Sequence, residues 1–388
     1  MAAVWRERLP TAETEKVLLR IARKRMMKGA KDTNETCNGE ESEEALDERS
    51  LYSGRDRGEV PYGQLTQLGC EQMMKVGREL REKYKNLLFV SSNDDGNETI
   101  KGEELYCRST NLCRTITSLR ALLVGLLNNS HETPSPQLAE PLVIETRDKG
   151  SETMYPQSDG VPCKAMILRK KELYGEDFIG RKFEGYAELE ATFKRVLGYE
   201  DRVSWLVSRE VLLCQRIHGI TYTEGISEED IQKCSNLGGF LWGRLYQDFA
   251  LNRLAIGRFV HEILRDLNAM LETSSKKKML IYSGHDSTLV PILSALEIYD
   301  GAWPPYAAYL TLEVASPPLS KDLFIGACYL GEVVPLFQGK SRWCPLPLFI
   351  ERMKEFALTP DEYSSCCADC DSNITTSKSE TEALMSDV

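Results

Sequence analysis

Apolar residues in this chain follow two different repeats, and the changes between them outline its elements. Spacings of three and four put Met73, Val76, Leu80 and Tyr84 on one face of a helix that Thr66 can cap. Leu112, Ile116, Leu119, Leu123 and Leu126 form the same pattern on a second helix. Short, mostly apolar runs at 87–90, 104–107 and 142–145 predict buried strands, with an exposed loop at 93–98. From 149 to 270 strand signals vanish, and helical periodicity predicts helices over 186–197, 203–214, 231–249 and 254–271. The last of these carries Phe259, Ile263, Leu267 and Met270 on one face. Alternation returns at 309–314 and 323–329, an antiparallel edge pair, before a final helix over 345–356. The stretch 31–57 and the tail from 372 are too polar to pack, and the basic run 16–28 reads as a solvated or amphipathic helix.

At 388 residues there is room for one large α/β domain and a smaller one. A net charge of −11 argues against nucleic acid as the main partner and makes an anionic substrate dependent on a local basic pocket. No apolar run approaches the roughly 18 residues of a membrane span, and residues 1–10 lack the apolar stretch of a secretory signal. The 12 cysteines show no paired C-x-x-C spacing for zinc. Cys366, Cys367 and Cys370 cluster near the end, as free thiols or as disulfide partners, for example of Cys344. Sequons at Asn34, Asn97, Asn128 and Asn373 leave the compartment open.

Two segments place chemistry where a strand gives way to a helix. The run Met279-Leu280-Ile281-Tyr282 ends in Ser283-Gly284-His285-Asp286-Ser287-Thr288-Leu289. Gly284 permits a tight turn, and Ser287 or Thr288 can cap the following helix. His285-Asp286 is then either a catalytic couple or an ordinary capped turn. Arg108-Ser109-Thr110 follows the strand at 104–107 in the same way. Arg108 is either a fork for phosphate, helped by helix amides, or a surface arginine beside a capping serine. Arg114, later on that helix, is expected to pair with a carboxylate.

Taken together, Gly63-Gln64-Leu65-Thr66 through Gly69, the R-S-T-x-x-x-R run from Arg108 to Arg114, and His285-Asp286-x-Thr288-Leu289 resemble the histidine acid phosphatases. The likeness spans roughly 63–367. Trp303-Pro304-Pro305-Tyr306 and the 344–363 stretch point to the branch that acts on lysophosphatidic acid. The resemblance implies an α/β fold with a doubly wound mixed sheet, like that of the phosphoglycerate mutases, and an inserted helical subdomain. Domains are expected as a variable segment 1–60, a core of 61–148 with 278–365, a helical insertion 149–277 and a tail 366–388. It implies neither metal nor cofactor, and a small phosphomonoester as substrate, with a lysophospholipid among the candidates. On the family pattern a histidine attacks phosphorus to give a phosphohistidine, which water then hydrolyses. Arg108 would bind phosphate oxygens, His285 would donate a hydrogen bond to them, and Asp286 would protonate the leaving alkoxide and then deprotonate the water.

The family's R-H-G-x-R-x-P run, which supplies the nucleophilic histidine, does not occur in this sequence. Its histidines are His131, His218, His261 and His285; His131 and His261 are no substitute, and His218 is read as structural or substrate-side. The expectation is impaired turnover, through a chain that starts downstream of the true beginning or a variant without the nucleophile. In the family the lost segment is an interior strand, so folding should suffer too. Two rivals stand beside this reading. Cys163-x5-Arg169 has the spacing of a cysteine phosphatase but no glycine for an anion nest. A binding protein would hold a phosphorylated ligand through Arg108 and His285 without cleaving it.

Overall fold

A computed structural model describes residues 64–91, 98–127, 142–156, 163–174, 183–220, 223–272, 274–317 and 320–368. The expectations for 1–60, the loop after Asn93, the four sequon asparagines, His131 and the end of the tail lie outside the described residues.

Helix α1 (Gln67–Leu88) starts as expected, with Thr66 Oγ1 accepting the Gly69 N–H at 3.0 Å. It also absorbs the first half of the strand expected at 87–90. Leu80, Tyr84 and Leu88 repeat every four residues, and Leu88 is fully buried on that helical face. Only β1 (Val90–Ser91) follows, paired with β2 (Glu98–Thr99). Then come β3 (Leu105–Ser109), α2 (Cys113–Leu127) and β4 (Ile144–Glu145). Helices α1 and α2 touch backbone to backbone. A Cβ on Gly77 would lie 2.0 Å from the Leu122 carbonyl oxygen, and one on Gly125 2.0 Å from that of Met74.

Four helices follow: α3 (Lys164–Tyr174), α4 (Tyr186–Leu197), α5 (Trp205–Ile217) and α6 (Glu228–Tyr246). Among the described residues between 149 and 278 there is no strand. The last three share a core of their own around Phe193, Trp205, Leu212, Ile231 and Leu237. Helix α7 (Phe249–Leu271), capped by Asp248, instead turns Ile256, Phe259 and Val260 towards Ile292, Ile325 and Phe349 beside the sheet.

The strand β5 (Met279–Ser283) lies parallel to β3, which is parallel to β4. After α8 (Asp286–Ala295), β6 (Leu310–Ala315) and β7 (Phe324–Tyr329) form the expected antiparallel pair, with β8 (Glu332–Val334) and β9 (Trp343–Pro345) on β7. Helix α9 (Leu346–Phe356) comes next, and α10 (Pro360–Ala368), started by Thr359 and Pro360, follows it. Cys163, just before α3, is disulfide-bonded to Cys367 in α10, whereas Cys344 is free, so the disulfide suggested for Cys344 gives way to this one. Among the described residues, no helix is long and apolar enough to cross a membrane.

The architecture is thus mixed α/β, with a three-stranded parallel sheet (β4–β3–β5) and a separate antiparallel one. Their facing edges are unusual. Among the described residues β5 has a ladder partner only in β3, and β6 only in β7. Residues of β5 and of the β6 region nevertheless share the same layers. Met279 and Ile281 pack with Ala307 and Tyr309, and on the other face Tyr282 joins Leu310, Leu312 and Val314. Every residue of β5 and β6 keeps partial exposure, although both are mostly apolar; β3 and β7 are largely buried.

One polar cluster ties α1 to β6. The Tyr84 hydroxyl donates to Glu313 at 2.7 Å, and Arg342 and Lys83 both pair with its carboxylate. Burial opposes ionisation of Glu313, yet these partners hold its carboxyl down at about 2. A depressed carboxyl stabilises the fold above its unfolded value, near 4.3, and that contribution fades as pH falls towards 2. Replacement Glu313→Gln is therefore expected to cost about 2 kcal/mol at neutral pH and to flatten the acid limb of stability between roughly pH 4.5 and 2, as read by denaturant unfolding. Substitution Gly77→Ala forces α1 and α2 apart and should cost at least about 2 kcal/mol in the same assay.

Candidate active site

The two strand ends singled out in the sequence do meet, because β3 and β5 are parallel neighbours in register. Arg108 stands opposite Tyr282, and Ser109 opposite Ser283. The Thr110 N–H donates to the Ser283 carbonyl at 3.1 Å, and the Ser283 hydroxyl to the Thr115 carbonyl at 2.9 Å. His285 is thereby brought within 2.9 Å of Thr110, Nε2 to Oγ1.

The turn itself departs from expectation. His285, not Ser287 or Thr288, occupies the cap position of α8, and its N–H donates to Thr288 Oγ1 at 3.0 Å. Thr288 in turn donates to the Met154 carbonyl at 2.7 Å. Gly284 is needed for closeness: a Cβ there would lie 2.7 Å from Thr288 Oγ1. Asp286 is the first residue of α8, partly exposed, with Oδ1 accepting the Ser287 N–H at 2.8 Å.

His285 is buried beneath Tyr155, whose ring stacks on the imidazole at 4.2 Å and 25°. Burial, and then the Arg114 guanidinium, push its pKa well below the usual histidine value, so the ring is neutral. The hydroxyls decide its tautomer. The single Thr115 proton is shared between the Thr110 and Leu112 carbonyls, each at 2.9 Å, and with it placed there Thr115 Oγ1 accepts from Thr110 Oγ1 at 2.8 Å. Thr110, its proton spent, must accept from His285, which places the imidazole proton on Nε2.

The arginines exchange their expected places. Arg108 is fully buried, and its guanidinium is taken by Glu152 at 2.7 Å, by Thr153 at 3.1 Å and by Glu262. Arg147 also pairs with Glu262, so two guanidinium groups balance two carboxylates. Burial opposes ionisation of Glu262, but Arg147 and Arg108 keep its carboxyl below the ordinary range. Arg108 is not open to a phosphate: that expectation is corrected by the carboxylates that already occupy its fork. Arg114, expected to pair with a carboxylate, instead is partly exposed in the first turn of α2, hydrogen-bonded to the Tyr155 hydroxyl and close enough to act on His285. Burial pushes that Tyr155 hydroxyl up to about 12.

Residues without any sequence signal complete the surroundings. Tyr155 sits in a segment with no periodicity, and Glu210, from α5, lies within the field of Asp286. Arg114 had a signal that went unused, since the first turn of a helix is where a guanidinium and free amides act on one anion. The other described histidines lie elsewhere. His218 closes α5, and His261 on α7 lies near Glu362 of α10; neither hydrogen-bonds or stacks with His285. Cys163 is no nucleophile, because its sulfur is in the disulfide, and Arg169 pairs with Glu172 and Asp248.

A neutral imidazole N–H, a partly exposed guanidinium and a carboxyl at a helix start are groups of the kind that phosphoryl chemistry uses. The profile of the Histidine phosphatase superfamily (branch 2) matches residues 2–177 and 242–322. Mouse lysophosphatidic acid phosphatase type 6 is 30% identical over 326 residues, covering 80% of this chain and 72% of that protein. Human prostatic acid phosphatase is 28% identical over 321 residues, 79% of each chain. The phytase of Hafnia alvei superposes with a TM-score of 0.59 at 14% identity, over 80% of this chain and 90% of its own. The chain belongs to branch 2 of the histidine phosphatase superfamily, and by that resemblance it is an enzyme of the phosphomonoesterase type.

Removing Arg108 would leave Glu152 a buried carboxylate without its cation and Glu262 with Arg147 alone. Replacement Arg108→Met is thus expected to cost about 3–5 kcal/mol, against a nearly unchanged melting temperature for Arg114→Ala. Thermal unfolding of the two variants side by side checks this; equal losses would refute the division of labour.

Proposed function

We propose that this chain is a phosphomonoester hydrolase in which Arg114, His285 and Asp286 handle the phosphoryl group, Arg114 taking the part expected of Arg108. The observation that supports it is the pairing state of the two arginines: Arg108 is spent on carboxylates, while Arg114 stands partly exposed beside His285. Arg114 grips phosphoryl oxygens as a fork. His285 passes its Nε2 proton from Thr110 to a phosphoryl oxygen as a hydrogen-bond donor. Water attacks phosphorus as the P–O bond to the alkoxide breaks; Asp286 gives its proton to that alkoxide and regains one from the water, whose other proton stays on the released phosphate.

The substrate proposed first is lysophosphatidic acid, on which the mouse relative acts by name. Turnover by the chain as given is impaired, because neither His218 nor His261 stands at the site to attack phosphorus. We infer further that the two sheets are parts of one doubly wound sheet. The interior position between β5 and β6 would be that of the family's R-H-G strand; the half-exposed facing edges support this.

The test is calorimetric binding of inorganic phosphate together with hydrolysis of lysophosphatidic acid. Phosphate binding should weaken at least about 10-fold in Arg114→Ala, and the slow hydrolysis should fall about 100-fold in Asp286→Asn. Binding indifferent to Arg114→Ala would overturn the assignment. Binding without any hydrolysis would make the chain a phosphate-ligand-binding protein, the reading that the missing nucleophile favours.

A further inference from the structure

Beside the phosphoryl-handling residues lies a second cluster that those steps do not use. Helix α5 carries Arg209 and Glu210 in succession. Arg209 is buried, lies over the Trp303 ring at 4.4 Å, and donates from one terminal nitrogen to Glu210 Oε1 at 2.5 Å. The Tyr306 hydroxyl donates to Glu210 Oε2 at 2.9 Å, and Cys214 Sγ lies 3.2 Å from that hydroxyl. Burial pushes the Glu210 carboxyl up, Arg209 pulls it back, and the charge of Asp286 pushes it up again. Two acids from different elements, α5 and α8, therefore stand in each other's field.

We propose that Glu210, held by Tyr306, reads the alcohol half of the phosphomonoester and selects uncharged polyol esters over esters that carry a second anion. The inference rests on the phosphoryl-site reading above. Three features carry it. The Glu210 side chain is 32% exposed, so it is open to a ligand, unlike the buried Arg209 beside it. Each carboxylate oxygen has accepted one hydrogen bond and has capacity for another, while the Tyr306 oxygen, its proton spent on Glu210, accepts from Cys214. The surface thus offers acceptors and asks for donors, which a substrate hydroxyl supplies. The Arg209 charge, finally, is cancelled by Glu210, so a second anion arriving here would face Asp286 and Glu210 with no free cation from this pair to meet it.

The experiment measures affinities of the purified chain by calorimetry for inorganic phosphate, propyl phosphate, glycerol phosphate and phosphoglycerate. Glycerol phosphate should bind about 10-fold tighter than phosphoglycerate and several-fold tighter than propyl phosphate. In Glu210→Gln the first ratio should shrink to about 2-fold or less, and Tyr306→Phe should shrink it partway. Tyr306→Phe decides the matter if Glu210→Gln does not fold. Ratios near one in the unaltered chain, or ratios unmoved by both substitutions, would overturn this inference. Arg114→Ala separates the two levels. If it weakens every probe while the ratios refuse to depend on Glu210, only the selectivity proposal fails. If it weakens none, the phosphoryl site itself is misplaced and this inference falls with it.

Discussion

Two guanidinium groups and two carboxylates, gathered around the fully buried Arg108, set the geometry on which the site depends. Arg108 comes from β3, Glu152 from the segment after β4, Arg147 from just before it, and Glu262 from α7. Each of these ions is costly to bury alone, and each is tolerable only because the others are in place. Glu152 also accepts the N–H groups of Thr153 and Met154 at 2.8 Å, which fixes the course of the chain into Tyr155. The Tyr155 ring then covers His285 and its hydroxyl engages Arg114. A largely buried charge balance thus decides how the buried imidazole and the partly exposed guanidinium face each other.

That arrangement explains why the site holds a neutral histidine beside a cation. Stacked under Tyr155 and next to Arg114, the imidazole cannot afford a positive charge, and the Thr115–Thr110 hydroxyl chain fixes its proton on Nε2. It is a donor without being an ion, so Arg114 can supply charge while His285 supplies direction. Asp286 and Glu210 stand in each other's field beside this pair. Beneath the site the parallel and antiparallel sheets stay separate among the described residues. Helices pack on both faces of β5 and β6, yet among the described residues no ladder joins these two strands. Backbone groups along such edges ordinarily find strand partners.

How much of this was legible depends on the range of the force involved. Helices with a continuous apolar face could be placed closely, because burial repeats every turn: 186–197 was read to the residue, and 254–271 was read five residues late at its start. Strand ends were shifted where a helix could claim the same apolar residues, as Leu88 shows. His285 and Asp286 were visible because a glycine turn between two apolar runs is a local pattern. The choice between Arg108 and Arg114 was not, because both sit in the same R-S-T-x-x-x-R run and nothing nearby distinguishes them. Tyr155 and Glu210 carried no signal at all.

By itself, then, the order of residues settled the local matters: which stretches coil or extend, that two strand ends bear a guanidinium and an imidazole–carboxyl couple, and that a helical stretch interrupts the strands. These follow from steric preference and from apolar periodicity, which act over a few residues. Which arginine is left open was decided only in three dimensions, when carboxylates 44 and 154 residues away from Arg108 closed around it. The same holds for the charge state of His285 and the acid pair of Asp286 and Glu210. Desolvation and Coulomb interaction depend on distance through space, and that distance exists only once the chain has folded.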